Sequence, residues 1–154
     1  MNAEQRLLEL GIELPPPGPV AGLYATAVRA GDMVYLSGCG PARADGTYIT
    51  GKVGADVDLD QARAAARLTG QVLLSRLREL IGSLDHVVRL VKVLGMVNTA
   101  PGFNKTPSVI DGCSELFIEV FGESGRGARS AVGMAELPFD ICVEIEAIFQ
   151  VDIP

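Results

Sequence analysis

Three charged side chains, Arg129, Glu144 and Glu146, stand among apolar neighbours where packing would favour valine, and a reactive or ligand-binding role would account for them. They lie in GARSAVGMAELPFDICVEIEAIF, residues 127–149, a stretch that otherwise reads as two apolar β-strands joined at a proline corner into a hairpin. A guanidinium stays charged at any physiological pH and can hold a carboxylate through two parallel hydrogen bonds, so Arg129 is a candidate anion clamp; an ordinary surface ion pair would use it equally well. Glu144 and Glu146 stand two apart on one strand face, about 7 Å between Cα atoms. That spacing suits a pair of carboxylates working as acid and base, or two structural carboxylates satisfied by backbone and arginine. His86 is the only histidine. It falls beside Asp85 at the expected start of a strand, which argues for a structural role rather than a nucleophile's base. No HxxxH, HxE or cysteine pair is present, so no metal site is expected. GCGPAR, residues 38–43, places an arginine where a dinucleotide loop needs glycine and lies between strands, so its glycines instead suggest backbone donors close to a ligand. Cys39 within it is either an accessible thiol or a packed small residue.

These groups need elements to position them. The first eleven residues suggest a short helix ending at Gly11, and ELPPPGPV an extended connector, because proline forbids helix there. LYATAVRAG and DMVYLSG read as strands about an Ala30-Gly31-Asp32 turn, and ADGTYIT as a turn and a third short strand. Asp58, with Gln61 at the capping-box position, opens a helix to about Ile81 that Gly82 can end. Its apolar stripe runs from Leu59 through Ala62, Ala65, Ala66, Thr69, Val72, Leu73 and Leu77 to Leu80, with Arg63, Arg67, Arg76 and Arg78 largely outside it. HVVRLVKVLGMVN is a long strand. Thr106 reads as the cap and Pro107 as the first residue of a helix to Gly122, with Ile110, Cys113, Phe117 and Phe121 along one face. The order β-β-β-α-β-α-β-β implies an α+β sandwich with two helices on one face of a mostly antiparallel sheet. The last strand alternates Val143, Ile145 and Ala147 with Cys142, Glu144 and Glu146, and so gives the sheet a mixed second face suited to another subunit.

Composition restricts the function classes. A chain of 154 residues is one domain, able to bury roughly 68–70% of its unfolded surface. Net charge is −6 and only five Phe, three Tyr and no Trp are present, which disfavours nucleic acid as a partner. No run approaches a membrane span and the amphipathic, acidic N-terminus does not resemble a signal peptide, so a cytoplasmic protein with reduced cysteines is expected.

ARSAVGMAELPFDICVEIEAIF resembles the C-terminal signature of the reactive intermediate deaminase (Rid, or YjgF) family, also labelled endoribonuclease L-PSP. GLYATAVRAGDMVYLSG, from Gly22, is similar to that family's N-terminal hairpin, and the resemblance spans about residues 15–151. Residues 1–14 then form an N-terminal helical extension of a single domain, as in a divergent branch. The resemblance implies a chorismate mutase-like fold, a homotrimer with clefts between subunits, no cofactor, and hydrolysis of reactive enamines and imines such as 2-aminoacrylate to 2-keto acids and ammonia. It assigns Arg129 to the ligand carboxylate, Tyr24 to the cleft, Gly38 to a backbone contact and Glu144 to the attacking water. Cys39 and Ser114 would lie on the substrate, where the family commonly has glutamine and asparagine; Ala131 replaces a common cysteine. The same clamp would serve a non-catalytic trimer that binds a small carboxylate metabolite. The third reading, an endoribonuclease, sits poorly with the acidic charge and the lone histidine.

Overall fold

The computed structural model describes residues 2–154. Its order is α1 (Ala3–Glu9), β1 (Ala27–Ala30), β2 (Met33–Cys39), α2 (Leu59–Ile81), β3 (Val87–Asn98), α3 (Thr106–Phe121), β4 (Ala128–Met134) and β5 (Val143–Val151), with short 3-10 turns between. One five-stranded sheet runs β1-β2-β5-β3-β4; the β3–β4 pair is parallel and the other pairs are antiparallel. The helices α2 and α3 pack together on one face. The core between them and the sheet holds Leu73, Leu77, Ile110, Phe117, Val93, Ile145 and Phe149, and the Phe117 and Phe149 rings meet edge to face at 5.5 Å.

Local signals explain most element ends. Asp58 accepts from the backbone of Gln61, whose side chain accepts from the backbone of Asp58, and Gly82 closes the same helix. Asn2 and Gln5 build the same reciprocal cap on α1. That helix is docked: Leu7 is buried, Glu4 accepts from the backbone of Leu84 at 3.0 Å, and the Arg6 Nε donates to the Glu119 carbonyl. Gly112 lets α3 lie against α2, since a β-carbon there would overlap the carbonyl oxygen of Arg63.

Four expectations are corrected. Residues 43–50 form no third strand: only isolated bridges, Ala42 to Tyr48 and Thr50 to Ile141, hold them, about an Asp45-Gly46 turn tied by Thr47, and Pro41 brings no backbone donor to a ladder. The first strand is shorter than expected, because the chain bends at residues 22–24 and Tyr24 precedes it. β4 and β5 form no hairpin. The eight residues between them (135–142) are too long for a tight turn, and the α3 crossover returns β4 parallel to β3 at the sheet edge while β5 takes the centre. Finally, Thr106 does not cap α3. It lies inside the helix, and its hydroxyl donates to the Ala131 carbonyl at 3.0 Å, tying the helix start to β4.

Candidate functional site

A β-bulge builds the site. Leu36 pairs with Ala147 and Cys39 with Ile145, so Ser37 and Gly38 together oppose the single residue Glu146. The bulge resets the alternation of β2. Val34, Leu36 and Cys39 point into the core, while Ser37 and Gly38 are left at a cavity of about 450 Å³. Small-ligand clefts typically measure roughly 300–1,000 Å³.

Four of the six residues expected at the site meet there: Tyr24, Gly38, Cys39 and Glu144, with Glu146 beside them. The Glu144 side chain rests on Gly38. Half-burial, and then the neighbouring Glu146, hold its carboxyl above the usual glutamate range. Tyr24 and Tyr48 stand at the walls, and Phe139 at the mouth is exposed with a positive φ of 56°, a backbone conformation rare for an aromatic residue. The loop carrying it is braced by buried Asn98, whose amide donates to Asp140 and to the Ile141 carbonyl, and by Lys52, which bonds Asn98 and the Ala135 carbonyl. Cys39 is no accessible nucleophile. Its thiol is buried and burial pushes its pKa up to about 11, against the lowering effect of Arg76.

Arg129 and Ser114 lie elsewhere. Arg129 pairs with Val93, which pairs with Ala147, so it faces the helices, whereas Glu144 pairs with Met96 and faces away from them. The Arg129 Nη1 donates to Asp111 Oδ1 at 2.7 Å and to Ser114 Oγ at 3.1 Å, and the three residues line a separate cavity of about 410 Å³. The clamp and the carboxylate of the expected mechanism are therefore on opposite faces of one chain's sheet.

The cation that does share the cavity with Glu144 is Arg76 of α2, which is buried rather than outside the apolar stripe as its charge suggests. It is only 7% exposed. Its Nε donates to the Pro17 carbonyl at 3.1 Å and its Nη1 to the Cys39 sulfur at 2.9 Å. The signal was present: Arg76 follows Val72 by four and Leu73 by three, which is the helical period of the core face. The proline connector covers it, held also by the Ser75 hydroxyl on the Pro15 carbonyl, and contributes Pro19 and Ala21 to the cavity wall.

A five-stranded sheet with two helices packed on one face agrees with the YjgF/chorismate mutase-like fold. The sequence profile of that family, which also carries an endoribonuclease label, matches residues 4–147. The chain belongs to the YjgF (Rid) family. It is 38% identical over 147 residues to Protein TCP17 of Trypanosoma cruzi, covering 95% of this chain and 92% of the relative. It is 28% identical over 150 residues to a 2-iminobutanoate/2-iminopropanoate deaminase of Dermatophagoides farinae, covering 96% and 98%. The crystal structure of Atu1372 from Agrobacterium tumefaciens superposes with a TM-score of 0.88 at 41% identity, covering 97% of this chain and 94% of that one. Among the described residues no helix is long and apolar enough to cross a membrane.

Proposed function

We propose that the protein hydrolyses small 2-imino acids, and the enamines that tautomerise to them, to 2-keto acids and ammonia. The carrying observation is Glu144: a half-buried carboxylate of raised proton affinity, resting on a backbone bulge inside a ligand-sized cavity. Such a group accepts a proton from water near neutral pH better than an ordinary glutamate. Water oxygen bonds to the imine carbon, the π pair moves to nitrogen, and the released proton passes to Glu144. Glu144 returns it to nitrogen to give the carbinolamine. It then takes the hydroxyl proton and passes it to nitrogen as the C–N bond breaks, so that the O–H pair closes the carbonyl and ammonia leaves. The similarity to a named imine deaminase supports this reaction class.

The clamp follows from assembly. Since Arg129 and Glu144 face opposite sides of one sheet, a cleft containing both needs two chains, and a homotrimer with three inter-subunit clefts supplies them. Two features support such contacts: β4 lies at the sheet edge, and the sheet face away from the helices leaves Val28 and Tyr35 exposed beside Glu146 and Lys92, with Val132 exposed on the same face. In that arrangement Arg129 of one protomer holds the α-carboxylate of a ligand whose imine carbon lies at Glu144 of its partner.

The test is ammonia release from imines generated freshly by an amino acid oxidase, with wild type against Glu144→Gln. Accelerated release by wild type and loss in the variant support hydrolysis. Binding of 2-keto acids with no acceleration would instead make the protein a carboxylate-binding trimer.

A further inference from the structure

Arg76 has no part in the reaction just described, yet it is the most buried cation lining any cavity of the described chain. No carboxylate lies within ion-pair distance of it among the described residues, whereas Arg63, Arg67, Arg78, Arg126 and Arg129 all have one. Burying a charge without a paired counter-charge is costly, and its two hydrogen-bond partners here, a carbonyl and a thiol, carry no formal negative charge. The thiol stays neutral, because burial keeps it protonated well above physiological pH. The carbonyl occupies Nε and the sulfur one Nη1 hydrogen, so the Nη2 group and the second Nη1 hydrogen remain for a ligand. The same cavity is lined by apolar Pro19, Ala21 and Ile141 and by the acidic Glu144 and Glu146.

We propose that Arg76 is a specificity residue that binds a second carboxylate, at the end of the ligand's side chain, so that the cleft selects dicarboxylic 2-imino and 2-keto acids. This rests on the function proposed above, with the imine carbon at Glu144 and the α-carboxylate on the neighbouring protomer's Arg129. The apolar wall takes the methylene stem of the side chain, and the far carboxylate supplies the anion that the buried guanidinium lacks. A planar fork suits a carboxylate better than a point charge would. The two glutamates repel the second carboxylate everywhere except at the Arg76 end, which fixes the ligand's direction in the cleft.

The experiment compares 2-oxoglutarate with 2-oxopentanoate, of equal chain length and lacking only the far carboxylate, by calorimetric titration of the purified assembly. Wild type should prefer the diacid by on the order of ten- to a hundredfold, the worth of one charge-assisted contact. Arg76→Met should bring that ratio to within about twofold of unity, and Arg76→Lys should leave it intermediate. Equal binding of the two acids by wild type, or preference for the monoacid, overturns the proposal while leaving imine hydrolysis standing, and needs no variant to fold. A diacid preference that survives in Arg76→Met overturns it as well. So does equal weakening of both acids, which would make Arg76 the holder of the α-carboxylate. Failure of wild type to bind either acid overturns this proposal and the cleft reading together.

Discussion

The Glu144 side chain fills the space that a β-carbon at position 38 would need: such an atom would lie 3.1 Å from Glu144 Cδ and 3.2 Å from both Cγ and Oε2. Gly38 is thus the floor on which the carboxylate rests, and its φ is one that any residue can adopt. Gly38→Ala therefore tests position rather than backbone strain. The added methyl should push Glu144 aside and lower kcat/KM between about tenfold and a hundredfold, the scale on which small misplacements of a reacting group act. Stability should fall by about 1 kcal/mol, at the low end of overpacking, because the atoms that must yield belong to a half-buried side chain. Thermal melts and steady-state rates on the same preparation check both.

Glu144 also predicts a pH dependence whose sign is fixed. Burial first, and Glu146 second, raise its folded pKa above the ordinary 4.5, so folding favours the protonated form. The stability this group contributes is present below the unfolded value and is lost as pH rises through the raised folded value. Glu144→Gln should therefore gain on wild type in melting temperature between about pH 4 and neutrality, and the gain should vanish at the acid end. In kinetics, the acid limb of kcat/KM should lie above the ordinary glutamate range. Glu146→Gln should move that limb to lower pH by removing the repulsion, yet not all the way, since burial is the larger cause.

What the sequence disclosed and what it hid divide along a physical line. Local signals were legible: the Asp58–Gln61 capping box, the Gly31 turn, the helical face of Ile110, Cys113 and Phe117, and the alternation of β5. Non-local pairing was not. β4 lies beside β3 rather than β5 because α3 carries the chain across, and no alternation pattern records a partner. In the same way a glycine at 38 signals a close approach of some group to the backbone, but not the bulge, which depends on the register between β2 and β5. Arg76 keeps the helical period of the core face, but the proline strap that buries its charge is a tertiary feature that no helical spacing records.

The three cysteines should be inert in the folded protein. Burial pushes Cys39 and Cys142 up to about 11 and raises Cys113 further, and all three are buried. At pH 8 the thiolate of a group near 11 is populated on the order of one part in a thousand, and access is closed as well. Iodoacetamide at that pH should leave the native mass unchanged over an hour and add three adducts in denaturant. Rapid native modification of Cys39 would mean that the strap over Arg76 opens.

Assembly is measurable directly. Light scattering should report about 49 kDa, three times the 16.2 kDa chain. A stable monomer at micromolar concentration would leave Arg129 and Glu144 in separate cavities and remove the shared cleft.

Arg129→Ala separates a clamp from a structural ion pair. Within the chain Arg129 is held by Asp111 and Ser114, and the Asp111 side chain is 44% exposed. A solvent-screened pair of this kind contributes under about 1 kcal/mol to stability, so the variant should fold and assemble. If the guanidinium grips the α-carboxylate, the loss in binding is far larger. Two charge-assisted hydrogen bonds at about 1.5–3 kcal/mol each, with some relaxation, amount to roughly 3–5 kcal/mol. At about 1.4 kcal/mol per decade that is two to three and a half orders of magnitude in affinity for a 2-keto acid. Arg129→Lys should recover only part, since a point charge cannot reproduce the fork. Because Asp111 and Ser114 take both Nη1 hydrogens, the ligand must approach along the Nε–Nη2 edge, where Nη2 makes a long 3.4 Å bond to the Pro107 carbonyl. Calorimetric titration of 2-oxobutanoate into the three proteins decides: equal affinity in wild type and Arg129→Ala would reduce Arg129 to the tie between β4 and α3.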